Sequence, residues 1–345
     1  MERRMRLVRL WLVCTCAAVL FLPAHVTSWG RQNAGEAWAQ SFGGSLDGQP
    51  GARENALGGA GVALIGDPSD AVWWNPAALG FARTASGQVT HGFANEQSPW
   101  PLSTRDDNAS GAIPLGSLGG IGFCLTDLSY PSYHSQIDYS YFRPSYLLRG
   151  GSVGLHFFSN LAVGATVKWI QIELRPYDIV SETFGADLGA LYRVPLDRGS
   201  LSFGMNVQNL GPDVTLYGED EKSPLNRNLK VGAAMDLPTR LGDRFVVGGI
   251  AVLDFNQSLV IDEFRTWNGG VEGYAGYSNF ARLALRVGYY DDRLQDSSDL
   301  TFGLGARVMG LTIDAAWVPQ AFASEKDRVL KLTAGLHFGK RPMPA

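Results

Sequence analysis

From Leu201 onward the chain places an apolar residue at every second position, segment after segment, and this period of two constrains its fold more than any other feature. Leu201, Phe203, Met205 and Val207 alternate with Ser202, Gly204, Asn206 and Gln208. Leu229, Val231, Ala233 and Met235 alternate with Lys230, Gly232, Ala234 and Asp236. The same pattern returns over residues 281–289 and 330–338. Successive side chains of an extended strand point to opposite faces, so this is a strand signal and not a helical one. The second face is unusual. A sheet surface turned to water is normally dense in Lys, Glu, Asp and Arg, but here it is mostly Gly, Ala, Ser, Thr and Asn with scattered charges. Small residues at inward positions, among them Gly185, Gly189, Gly303 and Gly305, would let packed chain approach a barrel wall closely. Alternation by itself also fits a large secreted β-sandwich or β-solenoid.

The N-terminus addresses the choice of solvent. Arg3, Arg4, Arg6 and Arg9 precede an apolar run from Leu10 to Leu22. A basic head followed by a run this short reads as a secretory signal, with cleavage expected after Ser28; an uncleaved anchor is the alternative. Cys14 and Cys16 follow Val13 and Thr15, so the small residue of a lipoprotein signal is missing. Losing four Arg and one Glu with residues 1–28 lowers the formal charge from −4 to −7. An acidic mature chain offers no electrostatic footprint for nucleic acid. Only Cys124 would survive cleavage, which leaves no intramolecular disulfide. After Ser28 no stretch approaches the roughly 18 apolar residues of a membrane helix. If the mature chain spans a membrane, it must therefore be a closed barrel, the other way to satisfy every backbone hydrogen bond in lipid.

Between Gly87 and Phe338 there are about fifteen strand candidates, and bacterial single-chain barrels have even strand numbers. Ile137–Leu148, interrupted by Pro144, is the weakest and reads as loop or edge. The expected fold is all-β: a transmembrane antiparallel β-barrel of about 14 strands, to which the family resemblance carried by residues 51–80 adds an N-terminal luminal hatch. Ser159-Asn160 and Val308-Met309-Gly310 read as short periplasmic hairpins, and Asn95–Asp107, Gly211–Asn228 and Asp291–Asp299 as longer outer loops. Trp169, Tyr192, Tyr274, Tyr277, Tyr289 and Trp317 sit where interfacial aromatic girdles would run. The expected division is a signal peptide (1–28), an N-terminal extension (29–50), the hatch (51–84), the barrel (85–338) and a C-terminal tail (339–345).

The hatch assignment starts from residues 51–80, GARENALGGAGVALIGDPSDAVWWNPAALG. Trp73-Trp74-Asn75-Pro76-Ala77-Ala78-Leu79 resembles the Asn-Pro-Ala element in the plug of FadL-type outer-membrane barrels. With Asn55-Ala56-Leu57-Gly58-Gly59-Ala60-Gly61 ahead of it, the stretch is more similar to the PorV/PorQ branch of that superfamily. Residues 185–193, 203–212 and 311–319 extend the resemblance across nearly the whole mature chain. It implies a barrel in the outer membrane of a Gram-negative type cell, inserted by the barrel-assembly machinery, surrounded by outer-membrane lipid and without a cofactor. It implies two kinds of work. FadL-like members pass a hydrophobic small molecule through the barrel and out of a side opening, whereas PorV-like members of type IX secretion bind exported proteins. The candidate site is Trp73, Trp74, Asn75, Pro76 and Ala77, either touching a ligand or only shaping the hatch. A channel would have an apolar pocket beside the two Trp residues.

Catalytic readings are weak. Gly150-Gly151-Ser152-Val153-Gly154 fits the G-x-S-x-G pattern, but that motif needs a sharp strand-to-helix turn, and here Val153, Leu155 and Phe157 continue an alternating strand. His91, His134, His156 and His337 are scattered, without the i, i+4 pair of a zinc helix. Asp291, Asp292, Asp296 and Asp299 lack EF-hand spacing and, like Glu219-Asp220-Glu221, read as solvated loop. The chain is not expected to be an enzyme.

Overall fold

The computed structural model describes residues 50–93, 105–129, 133–134, 141–175, 179–215, 222–260, 265–278, 280–292, 297–319 and 328–339. The expected signal peptide, residues 29–49, most of the tail, Glu219-Asp220-Glu221 and Asp296 lie outside the described residues. Fourteen wall strands are described: β1 (Ala85–Phe93), β2 (Arg105–Pro114), β3 (Gly119–Ser129), β4 (Tyr141–Phe158), β5 (Leu161–Arg175), β6 (Ile179–Pro195) and β7 (Ser200–Leu210), then β8 (Asn228–Leu241), β9 (Phe245–Ser258), β10 (Arg265–Tyr277), β11 (Ala281–Asp292), β12 (Ser297–Val308), β13 (Leu311–Pro319) and β14 (Arg328–Phe338). Each pairs antiparallel with the next, and β14 pairs with β1 in a register running from Ala85↔Phe338 to Phe93↔Leu330. The sheet is closed, which removes every edge and excludes the sandwich and the solenoid.

The alternation works inside out. On β11, Leu283 and Leu285 are 65 % and 67 % exposed, while Arg286 between Leu285 and Val287 is 6 % exposed. On β3, Ile121, Phe123 and Leu125 face outward and Cys124 and Thr126 are buried; on β12, Leu300, Phe302 and Leu304 face outward and Thr301 is buried. A continuous apolar outer surface of this kind is what lipid, and not water, accommodates. No helix of the described residues is long and apolar enough to cross a membrane, so any crossing is made by the strands.

Short connections gather at one end of the barrel. Ser159-Asn160 joins β4 to β5, and Met309-Gly310 joins β12 to β13. Met309 and Gly310 both have positive φ, the backbone of a type I′ hairpin, whose twist matches the flanking strands. The opposite end carries the longer connections, and here three expectations need correction. Tyr141–Leu148 is the outer part of the eighteen-residue β4, not loop. Pro144 lies one residue past the last β3–β4 pair, Ser129↔Ser145, where β4 is laddered to β5 and a missing N–H on the other side costs no ladder bond. Asp107 belongs to β2, paired with His91, and Asp291, Asp292 and Asp299 belong to β11 and β12. Asp299 is held by Arg328 at 2.5 Å and Asp291 accepts from Ser298 Oγ, so these two carboxylates are wall fixtures. Within 211–228, Val214–Thr215 pairs with Lys222–Ser223 in a two-residue ribbon.

Residues 50–82 run inside this wall. Helix α1 (Ala52–Ala56) and helix α2 (Pro68–Trp74) are followed by a 3₁₀ turn, Pro76–Phe81. Asp67 caps α2 by accepting from Ser69 N, and Pro68 supplies the preset φ of its first residue. Asn75 ends α2 and caps the 3₁₀ turn, its Oδ1 accepting from Ala77 N at 3.1 Å. Hydrogen bonds tie the segment to strands around the ring. Ala52 N donates to Thr333 Oγ1, Gly58 N to Thr301 Oγ1, and Gly61 N and Val62 N both to Asp254 Oδ2. Asn206 and Gln208 side-chain amides donate to Trp74 O and Trp73 O.

Candidate functional site

Inward glycines set how closely the segment lies on the wall. A Cβ added at Gly154, Gly164 or Gly189 would overlap Pro76, Ala77 or Asn75, and one at Gly270 or Gly288 would overlap the Leu57–Gly58 backbone. Gly303 faces Ala56 in the same way. At Gly154, Gly164, Gly270 and Gly288 main chain occupies the space a side chain would need, and at Gly189 and Gly303 the Asn75 and Ala56 side chains do.

The five expected site residues all face this seat. Trp73 and Trp74 are 5 % and 2 % exposed, packed with Val72, Leu79, Ile170 and Leu191. Lys168 Nζ stands 5.0 Å over the ring of Trp73 and Lys230 Nζ 5.1 Å over that of Trp74, cation–π contacts in a desolvated setting. Lys168 is in turn paired with Asp187 at 2.7 Å and donates to Asn209 Oδ1. Asn75 Nδ2 donates to Val62 O at 2.7 Å and reaches Ala190 O on β6. Pro76 and Ala77 lie on Gly154 and Gly164. The expected apolar pocket beside the Trp pair is therefore filled by protein: the cavity touching Trp74 measures about 10 Å³, the scale of one water.

The open space lies elsewhere. A vestibule of about 850 Å³ opens toward the short-turn end of the barrel, with Arg193, Ser278, Phe280, Met309 and Gly310 near its mouth. Its size is in the range of small-molecule sites. One side is apolar, built by Leu64, Ile65, Ala234, Val246, Ile250 and Ala284. The other is ionic. Glu272 on β10 accepts from Arg53 Nε at 2.9 Å, Arg282 at 2.6 Å and Arg286 at 2.7 Å, and Arg286 also holds Asp314 on β13 at 2.6 Å. Asp67 pairs with His337 at 2.6 Å, and Asp70 accepts from Gln88. Burial pushes the Glu54 carboxyl up to about 7 against the pull of Arg53, and burial together with the neighbouring Glu54 raises Asp70 well above the usual carboxylate range.

The sequence reading missed this vestibule, although one signal for it was available. Glu272, Arg282, Arg286 and Asp314 all occupy the inward phase of their strands, and buried charges at inward positions of neighbouring strands imply an ion-paired lumen. Ser152 of the G-x-S-x-G match sits mid-strand on β4, its hydroxyl bonded to Thr166 Oγ1 at 2.7 Å. No group of three or more His, Cys, Asp or Glu among the described residues could hold a metal ion.

No protein-family model and no curated protein matches the chain. Several solved structures do. The deltaS2 mutant of the TodX monoaromatic hydrocarbon channel is 14 % identical with a TM-score of 0.52, over 86 % of this chain and 100 % of that one. The Ralstonia pickettii toluene transporter TbuX is 14 % identical with a TM-score of 0.51, over 85 % and 98 %. A Pseudomonas aeruginosa FadL homologue is 16 % identical over 84 % and 98 %, with a TM-score of 0.48. At such identities the likeness is one of architecture: the chain is a closed fourteen-stranded antiparallel barrel with a FadL-like fold.

Proposed function

We propose that this protein is an outer-membrane channel that passes a small hydrophobic molecule, with residues 51–84 as its hatch and residues 1–28 as its export signal. The observation that carries the reading is the two-sided vestibule. Its apolar side, Leu64, Val246 and Ile250, would take a hydrophobic molecule, and its ionic side would keep the rest of the space hydrated. Two proteins of similar fold are a monoaromatic hydrocarbon channel and a toluene transporter, which supports the substrate class. In this reading Trp73, Trp74, Asn75, Pro76 and Ala77 shape and anchor the hatch, and the ligand meets the vestibule.

The tight seat of the Trp73–Leu79 stretch favours one other reading, in which the lumen stays shut and the barrel, as a PorV-like secretion component, presents its outer loops to exported proteins. Mass spectrometry of lipids and proteins that co-purify with the gently solubilised barrel separates the two. A stoichiometric hydrophobe that is lost in Ile250→Asp would support the channel. A recurrent exported protein with no bound hydrophobe would replace it with the secretion reading.

A further inference from the structure

Arg83, Arg193, Arg307 and Asp236 also line the vestibule, but around α1 and the start of α2 the pairing of acids with bases is uneven. Glu54 on α1, Asp67 and Asp70 at α2, Glu272 on β10 and Asp314 on β13 face Arg53 from α1, Arg282 and Arg286 from β11, and His337 from β14. Glu272 draws all three arginines, Asp314 shares Arg286, and Asp67 has His337. That leaves Glu54 and Asp70. Glu54 has Arg53 Nη1 at 3.9 Å on its Oε1, beyond hydrogen-bond range. Its Oε2 has no hydrogen-bond partner, although the residue is 1 % exposed. Asp70 accepts from the neutral Gln88 amide, with no cation at ion-pair distance among the described residues. The two carboxyl groups converge on one point: a Cβ added to Gly51 would lie 2.7 Å from Glu54 Oε2 and 3.3 Å from Asp70 Oδ1. Both residues also line the small cavity beside Trp74.

An orphaned carboxylate oxygen in a buried site, next to a second carboxylate, is a costly arrangement unless one of the pair carries a proton. We propose that Glu54 and Asp70 form a proton-binding site that locks the vestibule end of the lumenal segment, and that loss of the proton loosens residues 51–54 and 66–70 into the vestibule. Asp67 also lines the small cavity, but it is paired with His337, and no group of three or more His, Cys, Asp or Glu among the described residues could hold a metal ion, so the small space fits a proton better than a metal cation. The raised affinity of Glu54 and Asp70 for protons agrees in direction. A carboxyl that holds its proton more tightly when folded contributes stability fully at acidic pH, and that contribution is lost as pH rises through about 7. The lock is thus closed in acid and released toward alkaline pH. It does not depend on what the barrel transports, so it stands or falls separately from the channel reading.

Hydrogen exchange read by mass spectrometry on the whole barrel in lipid nanodiscs, corrected for the intrinsic pH dependence of amide exchange, tests the lock. In the wild type, protection of peptides covering 51–70 should fall about tenfold or more between pH 5.5 and 8.5, with a midpoint near neutrality. The wall strands and residues 73–80 should stay protected throughout. Glu54→Gln should abolish the step and keep 51–70 protected at pH 8.5. Asp70→Asn, which removes the like charge, should move the midpoint to lower pH. A wild-type profile without a step overturns the proposal, as does a step that survives unchanged in Glu54→Gln. Protection restored at pH 8.5 by sodium or calcium would also overturn it, in favour of a metal cation.

Discussion

The two ends of the lumenal segment meet the same wall by different chemistry. Both press main chain against inward glycines, Leu57–Gly58 on Gly270 and Gly288, and Pro76–Ala77 on Gly154 and Gly164. Around Pro76–Leu79 the space is filled, with Val72, Leu79, Ile170 and Leu191 buried together and Asn75 bridging α2 to β6. Around Ala52–Glu54 one side is open to the vestibule and the hold is ionic, through Arg53, Glu272 and Arg286. Shape complementarity is insensitive to pH and salt, whereas buried ion networks fail when one member is removed. The difference assigns permanence to one end and adjustability to the other.

The sharpest way to break this comparison is Glu272→Ala. It leaves Arg53, Arg282 and Arg286 facing one another without their common anion, a loss of about 3–5 kcal/mol at the α1 end. Hydrogen exchange should show residues 51–58 deprotected while residues 73–80 keep their protection. Equal deprotection of both ends would mean that the segment moves as one body and that the division is wrong.

The complementary change is Gly164→Ala. The new Cβ overlaps Pro76 and Ala77 backbone, which has no flexible side chain to yield, at a cost of about 3 kcal/mol. Protection should now be lost at 73–80 and retained at 51–58. Gly151→Ala, on β4 with open space at its α-carbon, is the control and should leave both ends unchanged.

Much of the barrel was legible because strand alternation in lipid is a two-letter code, apolar outward and small or polar inward, and Leu283, Leu285 and Val287 obey it without exception. Hairpins such as Met309-Gly310 were legible for the same local reason. Pro144 argues against a central strand only where its N–H is needed; at residues 143–144 β4 is laddered to β5 alone, and partner strands cannot be read from one segment. The vestibule was hidden for a related cause. Arg53 and Glu272 are 219 residues apart in sequence, and no local pattern says that an inward Glu on β10 meets a particular turn of α1. The Trp pair leaves ligand contact and hatch packing both open in the sequence because large aromatics serve binding and packing equally, and sequence does not say which neighbours fill the space around them.

The smallest expected effect asks what holds Trp74 in place. Lys230 Nζ lies 5.1 Å over its ring and near Asp254, whose Oδ2 accepts from Gly61 N and Val62 N. In Lys230→Met the aliphatic stem still covers the indole, while the charge is lost. Loss of the cation–π contact costs about 1–2 kcal/mol, but relief from burying an ammonium group offsets part of it. A net change within about 1 kcal/mol is therefore expected, read as a small fall in exchange protection at 61–64 and none at 76–80. Lys168 serves less well for this test, since it is paired with the buried Asp187 at 2.7 Å, whereas Asp254 keeps its bonds from Gly61 N and Val62 N when Lys230 is changed. If Lys230→Met instead unseated residues 76–80, charge and not shape would be what fixes the permanent end, and the contrast between the two ends would reduce to which cation each one uses.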